Sequence, residues 1–182
     1  EEALEHALAA GDIPTAIQLV ARHGHQLMNN QQWPRLERWL DMLPRDRVEE
    51  NPEMLLLRLW SNHMRTAGLD VAALATQLEK IEYLISILPP NDSVKRDQIR
   101  SHCDALRSFQ YFVGADGKSA LKHALLACKN IPIQHKRALL RAHIFQVGSY
   151  QMVGELETGL SIYYRELQEN PNLSIGDPAM YL

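Results

Sequence analysis

Apolar residues recur every three or four positions along almost the whole chain, and no period-two run of β-branched residues interrupts them. That pattern predicts helices and no sheet. Local punctuation brackets each helix. A first helix over Glu1–Ala10 stops at Gly11. Asp12 caps a second, with Pro14 in its first turn and an apolar face of Ile13, Ala16, Ile17, Val20 and Leu27. A short helix carries Leu36, Trp39, Leu40 and Leu43, and Pro44 and Pro52 then bound a short charged connection. Pro52–Thr66 reads as a helix with Leu55, Leu56, Leu59 and Trp60 inward, followed by Asp70–Leu88, which Pro89-Pro90 closes. Asp92 or Ser93 caps a long helix with the stripe Ile99, Cys103, Leu106, Phe109 and Val113. Asp116–Asn130, Gln134–Met152 and Glu155–Asn170 complete the series, the last ended by Pro171.

From Pro52 onward the helices pair, with pairs starting near Pro52, Asp92 and Gln134. This is a period of about 40 residues, in the range of helical solenoids. The turns carry a signature: a glycine, then a small residue five or six positions later, then an apolar one. The instances are Gly11 with Ala16-Ile17, Gly68 with Ala73-Leu74, Gly114 with Ala120-Leu121 and Gly154 with Gly159-Leu160. Glycine relieves the steric cost of a sharp turn between antiparallel helices. The small residue lets the second helix approach closely, and its apolar neighbour seals the layer.

Composition narrows the class of function. With 46% hydrophobic and 23% charged residues, the 182-residue chain buries a core of its own without staples. A net charge of -3 gives no general attraction to nucleic acid. Cys103 and Cys128 form no CxxC pair and lie on apolar helical patterns, so they read as small buried hydrophobes in a reducing, cytoplasmic compartment. No apolar run reaches the roughly 18 residues that a membrane span needs. The first residues are acidic and already helical, unlike a signal peptide. Nothing resembling an N-cap precedes Ala3, and a fresh helix start stands near Asp177-Pro178, so the chain reads as a piece of a longer protein.

Three stretches resemble a known family. Glu5-His6-Ala7-Leu8-Ala9-Ala10-Gly11-Asp12, continued by Ala16-Ile17-Gln18-Leu19-Val20, is similar to the helical linker after the ATPase module of large LuxR-type regulators, the relatives of the bacterial maltose-regulon activator. Trp33-Pro34-Arg35-Leu36-Glu37-Arg38-Trp39-Leu40-Asp41-Met42-Leu43-Pro44 resembles the family's next landmark, a tryptophan-bearing helix ending in Leu-Pro. Asn51-Pro52-Glu53-Met54-Leu55-Leu56-Leu57-Arg58-Leu59-Trp60 is similar to its entry into a tetratricopeptide-like array. The likeness is sharp over about the first 65 residues and generic beyond them.

The resemblance implies an all-α fold, a right-handed, tetratricopeptide-like superhelix. In it 1–51 form a helical arm and 52–182 form repeats over about 52–90, 91–132 and 133–171, with a further helix starting at 177–182. It further implies a parent of the STAND class, with an upstream nucleotide-binding module and a downstream DNA-reading module. In such regulators the helical region binds a small-molecule inducer or a regulatory protein and so controls ATP-dependent self-association and transcription. The phosphate-binding GxxxxGK[ST] loop is absent from this chain, and so is a recognisable helix-turn-helix. ATP is therefore implied for the parent alone, and DNA only through another domain. A constitutive tetratricopeptide-like scaffold, presenting a peptide groove and sensing nothing, is the alternative.

Candidate chemistry is sparse. His23 and His25, His135 and His143, and His123 and Cys128 all have spacings unsuited to sharing one metal ion on a helix face. No serine sits in a GxSxG elbow, and Cys103 diverges from His102 as adjacent helical residues do. Neither a catalytic nor a metal site is expected. Trp33, Trp39 and Trp60 sit beside leucines and read as core. The basic residues at the starts of the second and third pairs are the candidates for binding. Arg96, Arg100 and Arg107 run along one helix that ends in Gln110 and Tyr111, and Arg137 and Arg141 occupy the other. In such arrays the first helix of each pair lines the usual binding face, where guanidiniums beside an aromatic ring hold a carboxylate, a sugar or an acidic peptide.

Overall fold

The computed structural model describes residues 1–65 and 70–169. Among them are ten α-helices and no strand, as the periodicity predicts. They are α1 (Glu2–Ala9), α2 (Ile13–Asn29), α3 (Trp33–Met42), α4 (Arg45–Glu49), α5 (Pro52–Arg65), α6 (Val71–Ser86), α7 (Ser93–Val113), α8 (Gly117–Asn130), α9 (Lys136–Met152) and α10 (Leu156–Glu169). The expected helix start near Asp177-Pro178 and the turn at Gly68 lie outside the described residues.

Side-chain caps start several of these helices. Asp12, Asp70 and Asp116 each accept the backbone N–H three residues on, at 3.1, 2.9 and 3.1 Å. Asn51 accepts from Glu53 and Met54 at 3.0 and 3.2 Å, with Pro52 following it. Each cap satisfies donors that the first helical turn leaves without partners. These bonds hold the Asp12 and Asp116 carboxyls below the usual carboxylate range, Thr15 and Ser119 being the respective donors.

Four turns share one geometry. After α1, α2, α7 and α9 a single residue adopts positive φ: Gly11 (72°), Gln31 (57°), Ala115 (60°) and Gly154 (83°). The next residue's N–H then donates back to the carbonyl five positions earlier, at 2.8, 2.9, 3.0 and 2.8 Å. This is a Schellman closure. It corrects the reading of the third turn, where the left-handed residue is Ala115 and not Gly114. The small-residue register also shifts. Four residues after each cap, the buried position holds Ala16, Leu74, Ala120 and Gly159, whereas Ala73 is exposed. Two further differences stand out. The Pro44–Pro52 connection contains the helical turn α4, whose Val48 is fully buried, and Val113 is 51% exposed, so the α7 stripe ends before it.

The chain divides into two compact units, Glu1–Ile99 and Arg100 onward. In the first, α2, α3, α4 and α6 all pack on α5, and α1 packs on α2. Leu36, Leu40, Leu56, Leu57, Trp60, Leu78, Ile81 and Ile85 are almost wholly buried there, and Trp39 joins them, so two of the three tryptophans are core as expected. Trp33 is half-buried. Charged pairs fringe this core: Arg58 with Asp41 at 3.0 Å, Arg65 with Glu37 at 3.4 Å, and Lys80 with Glu49. Exposed pairs of this kind add about 1 kcal/mol at most.

In the second unit α8 packs on α9, and α9 on α10. The contact is made by small residues. Ala120, Ala124 and Ala127 of α8 and Ala138 and Ala142 of α9 are buried. A Cβ on Gly159 of α10 would lie 2.8 Å from the Cβ of Tyr150, so α10 approaches α9 as closely as glycine permits. The Ser108 hydroxyl ties α7 to α8 by donating to the carbonyl of Ala120 at 2.9 Å.

Candidate functional site

Among the described residues, the second unit holds most of the buried polar side chains: Ser101, His102, Ser108, Arg137, His143, Gln146 and Ser149. Burying such groups is unfavourable unless they are bonded, so their partners define the local architecture. Three associations stand out. His102 Nε2 and His135 Nδ1 lie 2.9 Å apart with ring centroids at 5.1 Å, so one imidazole donates to the other. Burial pushes the His135 ring down to about 4, keeping it neutral. Between α7 and α8, His123 Nδ1 meets Asp104 Oδ1 at 2.8 Å, while the Tyr111 ring stacks on the His123 ring at 5.4 Å and 13°.

The third association joins α8 to α9. Gln146 Oε1 accepts from the Cys128 thiol at 3.4 Å and from His143 Nδ1 at 3.3 Å. Burial raises the thiol to about 12 and is also the largest influence lowering His143, with the Gln146 bond acting against it. A thiol held so far above neutrality is a poor nucleophile and a poor metal ligand. Cys103 is fully buried. Cys103 therefore packs as the sequence reading expects, whereas Cys128 is half-buried and bonded to Gln146.

The basic and aromatic candidates fall into distinct settings. Arg96, in the first unit, donates from Nε to the carbonyl of Ile85 at 3.1 Å and from Nη2 to those of Leu88 and Pro89 at 2.8 and 3.2 Å. It closes the C-terminal end of α6, where carbonyls lack helical partners and the dipole favours a cation. Arg137 is buried. Arg100 is exposed, and Arg107, Gln110 and Tyr111 are half-buried on α7. Arg141 lies over the Phe145 ring at 6.0 Å, and Phe145 meets Phe109 of α7 at 5.4 Å. The first helices of two successive pairs thus touch through aromatic rings, with Arg141 beside that contact. The histidine and thiol associations were not read from the sequence. Their partners are 33, 19 and 18 residues apart, on different helices, and nothing in the local pattern marks them.

The first unit has a cleft of about 330 Å³ between α5 and α6, floored by Leu55, Leu59 and Leu74 and rimmed by Arg58, Asn62 and Gln77. The Glu49 carboxyl at its edge is held below the usual range, chiefly by its bond from Lys80.

An all-helical chain with these landmarks has its counterparts among bacterial transcriptional regulators. It is 30% identical over 165 residues to the HTH-type transcriptional regulator MalT of Yersinia pestis (strain Pestoides F), and equally to that of Yersinia pseudotuberculosis serotype O:3 (strain YPIII). Against MalT of Yersinia enterocolitica serotype O:8 the identity is 28% over 159 residues. Each match covers 87% of this chain and 17% of the relative, so the chain spans about a sixth of the length of the curated relatives it matches. The chain is related in sequence to one segment of these regulators, and the resemblance extends well past its first three landmarks. No family model matches the chain, and no solved structure does. No helix among the described residues is long and apolar enough to cross a membrane.

Proposed function

We propose that this chain is the helical sensor segment of a cytoplasmic transcriptional regulator, a helical arm (1–51) followed by a tetratricopeptide-like array. Its role is to take up a small-molecule inducer or a regulatory protein, and thereby to control ATP-dependent self-association and DNA binding of the parent. The observation that carries this reading is the likeness to MalT over 87% of the chain. ATP and DNA are handled by other parts of the parent, and the segment itself performs no catalysis. Arg100, Arg107, Gln110, Tyr111 and Arg141 are the residues that meet the effector, on the face formed by α7 and α9. Arg96 and Arg137 support that role structurally, one by closing α6 and the other from within the second unit.

The physical requirement is differential affinity: an effector shifts the parent between states only as far as it binds one of them better. A half-buried guanidinium beside an aromatic ring supplies charge-assisted bonds to a carboxylate together with an apolar contact. A thermal-shift panel of small carboxylates and oligosaccharides tests the proposal. One class of compound stabilises the chain, by about 2.7 kcal/mol at a hundredfold excess over Kd, and Arg107→Ala or Arg141→Ala abolishes the response. If no compound shifts the transition while unstructured peptides do, the constitutive scaffold replaces the sensor.

A further inference from the structure

The outward side of α8 is used by none of the interactions described above. Its inward side is the alanine row Ala120, Ala124 and Ala127, fully buried. On the other side Lys118, Lys122 and Lys129 recur at helical spacing among Leu121, Leu125 and Leu126, and with Val153 and Glu155 they line an open groove of about 700 Å³. Leu125 and Leu126 are 42% and 39% exposed, so the apolar part is accessible.

Helix stability accounts for Lys129, which stands in the last turn where the helix dipole favours a cation, but not for Lys118 and Lys122. The α8 sequence GKSALKHALLACKN contains no acidic residue, so the lysines have no opposite charge within the helix. Lys118 and Lys122 are four apart, a like-charge spacing that destabilises a helix. Lys118 also stands in the first turn, where the helix dipole disfavours a cation. Asp116 influences it from the cap, and Glu155 is the acid within the groove, but no ion pair among the described residues reaches any of the three lysines. An apolar strip with a predominantly positive border is complementary to an acidic amphipathic surface.

We propose that this face of α8 is a docking surface for an acidic amphipathic helix of a separate partner protein, whose apolar side chains seat on Leu121, Leu125 and Leu126 and whose carboxylates meet Lys118, Lys122 and Lys129. Helix-in-groove recognition needs apolar anchors at successive turns, and the bordering charges set the partner's sign and its rate of encounter. The surface is distinct from the α7 and α9 face and does not depend on the sensor reading.

The test titrates the chain with two fluorescent amphipathic peptides that share a leucine face, one bordered by glutamates and the other by lysines. The natural chain binds the acidic peptide at least tenfold more tightly, and added salt weakens that binding. Replacing all three lysines by glutamate inverts the preference, and Leu125→Asp weakens both the natural and the inverted pairing about tenfold. The lysines are exposed, and unchanged helical circular dichroism confirms that the variants fold. Equal affinity for the two peptides, or a preference that survives the lysine reversal, overturns the proposal. So does a dimer of the chain alone that Leu125→Asp dissociates, because the occupant is then a second copy. Displacement of the acidic peptide by duplex DNA overturns it as well, since a polyanion and not a helix is then the ligand.

Discussion

The first unit fills its interior with large side chains, Trp60, Leu36, Leu57, Leu78 and Ile81 among them, and leaves its charged pairs at the rim. The second brings its helices together over alanine and glycine and closes hydroxyls, imidazoles and an amide between them. The first mode is non-directional and tolerates exchange of one apolar side chain for another of like volume. The second sets register, because each buried polar atom must find a particular partner on another helix. A region that must respond to a ligand gains from the second mode, since a shift of helix against helix exchanges discrete hydrogen bonds.

Trp60→Ala breaks the comparison most severely. It removes a fully buried indole, and a loss of about 3–5 kcal/mol is expected in chemical denaturation. All three tryptophans lie in the first unit, so their fluorescence follows this transition while circular dichroism follows both units. Gly159→Ala is next. The new methyl meets the Tyr150 Cβ at 2.8 Å, a backbone-fixed atom that no rotamer change relieves. The overpacking costs about 1–3 kcal/mol, offset by about 1 kcal/mol of improved helix propensity. The dichroism transition therefore moves down, and an unchanged midpoint would show that α9 and α10 are less closely packed than described.

The effect of acid has a fixed sign. Burial holds the His135 imidazole at about 4 and lowers His143 as well, so below the unfolded value of 6.5 the unfolded chain binds protons that the folded one refuses. Stability is complete above pH 6.5 and declines as pH falls toward about 4. His135→Asn flattens that decline, and a profile identical to the natural chain's would remove His135 as its source.

Helix boundaries were legible in the sequence because their causes are local. Asp12, Asp70, Asp116, Asn51 and the prolines act within one turn of where they stand. The α4 turn was missed because its few residues hold only one buried apolar position, Val48, too little for a periodicity. The settings of the candidate site residues were less legible. A run of arginines looks alike in sequence whether it faces solvent or folds back, and only the structure separates exposed Arg100 from buried Arg137 and carbonyl-bound Arg96. The register between helices decides such questions, and it also set the His123–Asp104 and Cys128–Gln146 bonds out of reach of local pattern.

Reading the coding sequence on both sides of this chain tests the central claim most directly. The account predicts a GxxxxGK[ST] phosphate-binding loop upstream and a helix-turn-helix downstream. Further helical repeats on both flanks, with neither module present, would contradict the sensor of a transcriptional regulator and leave a scaffold in its place.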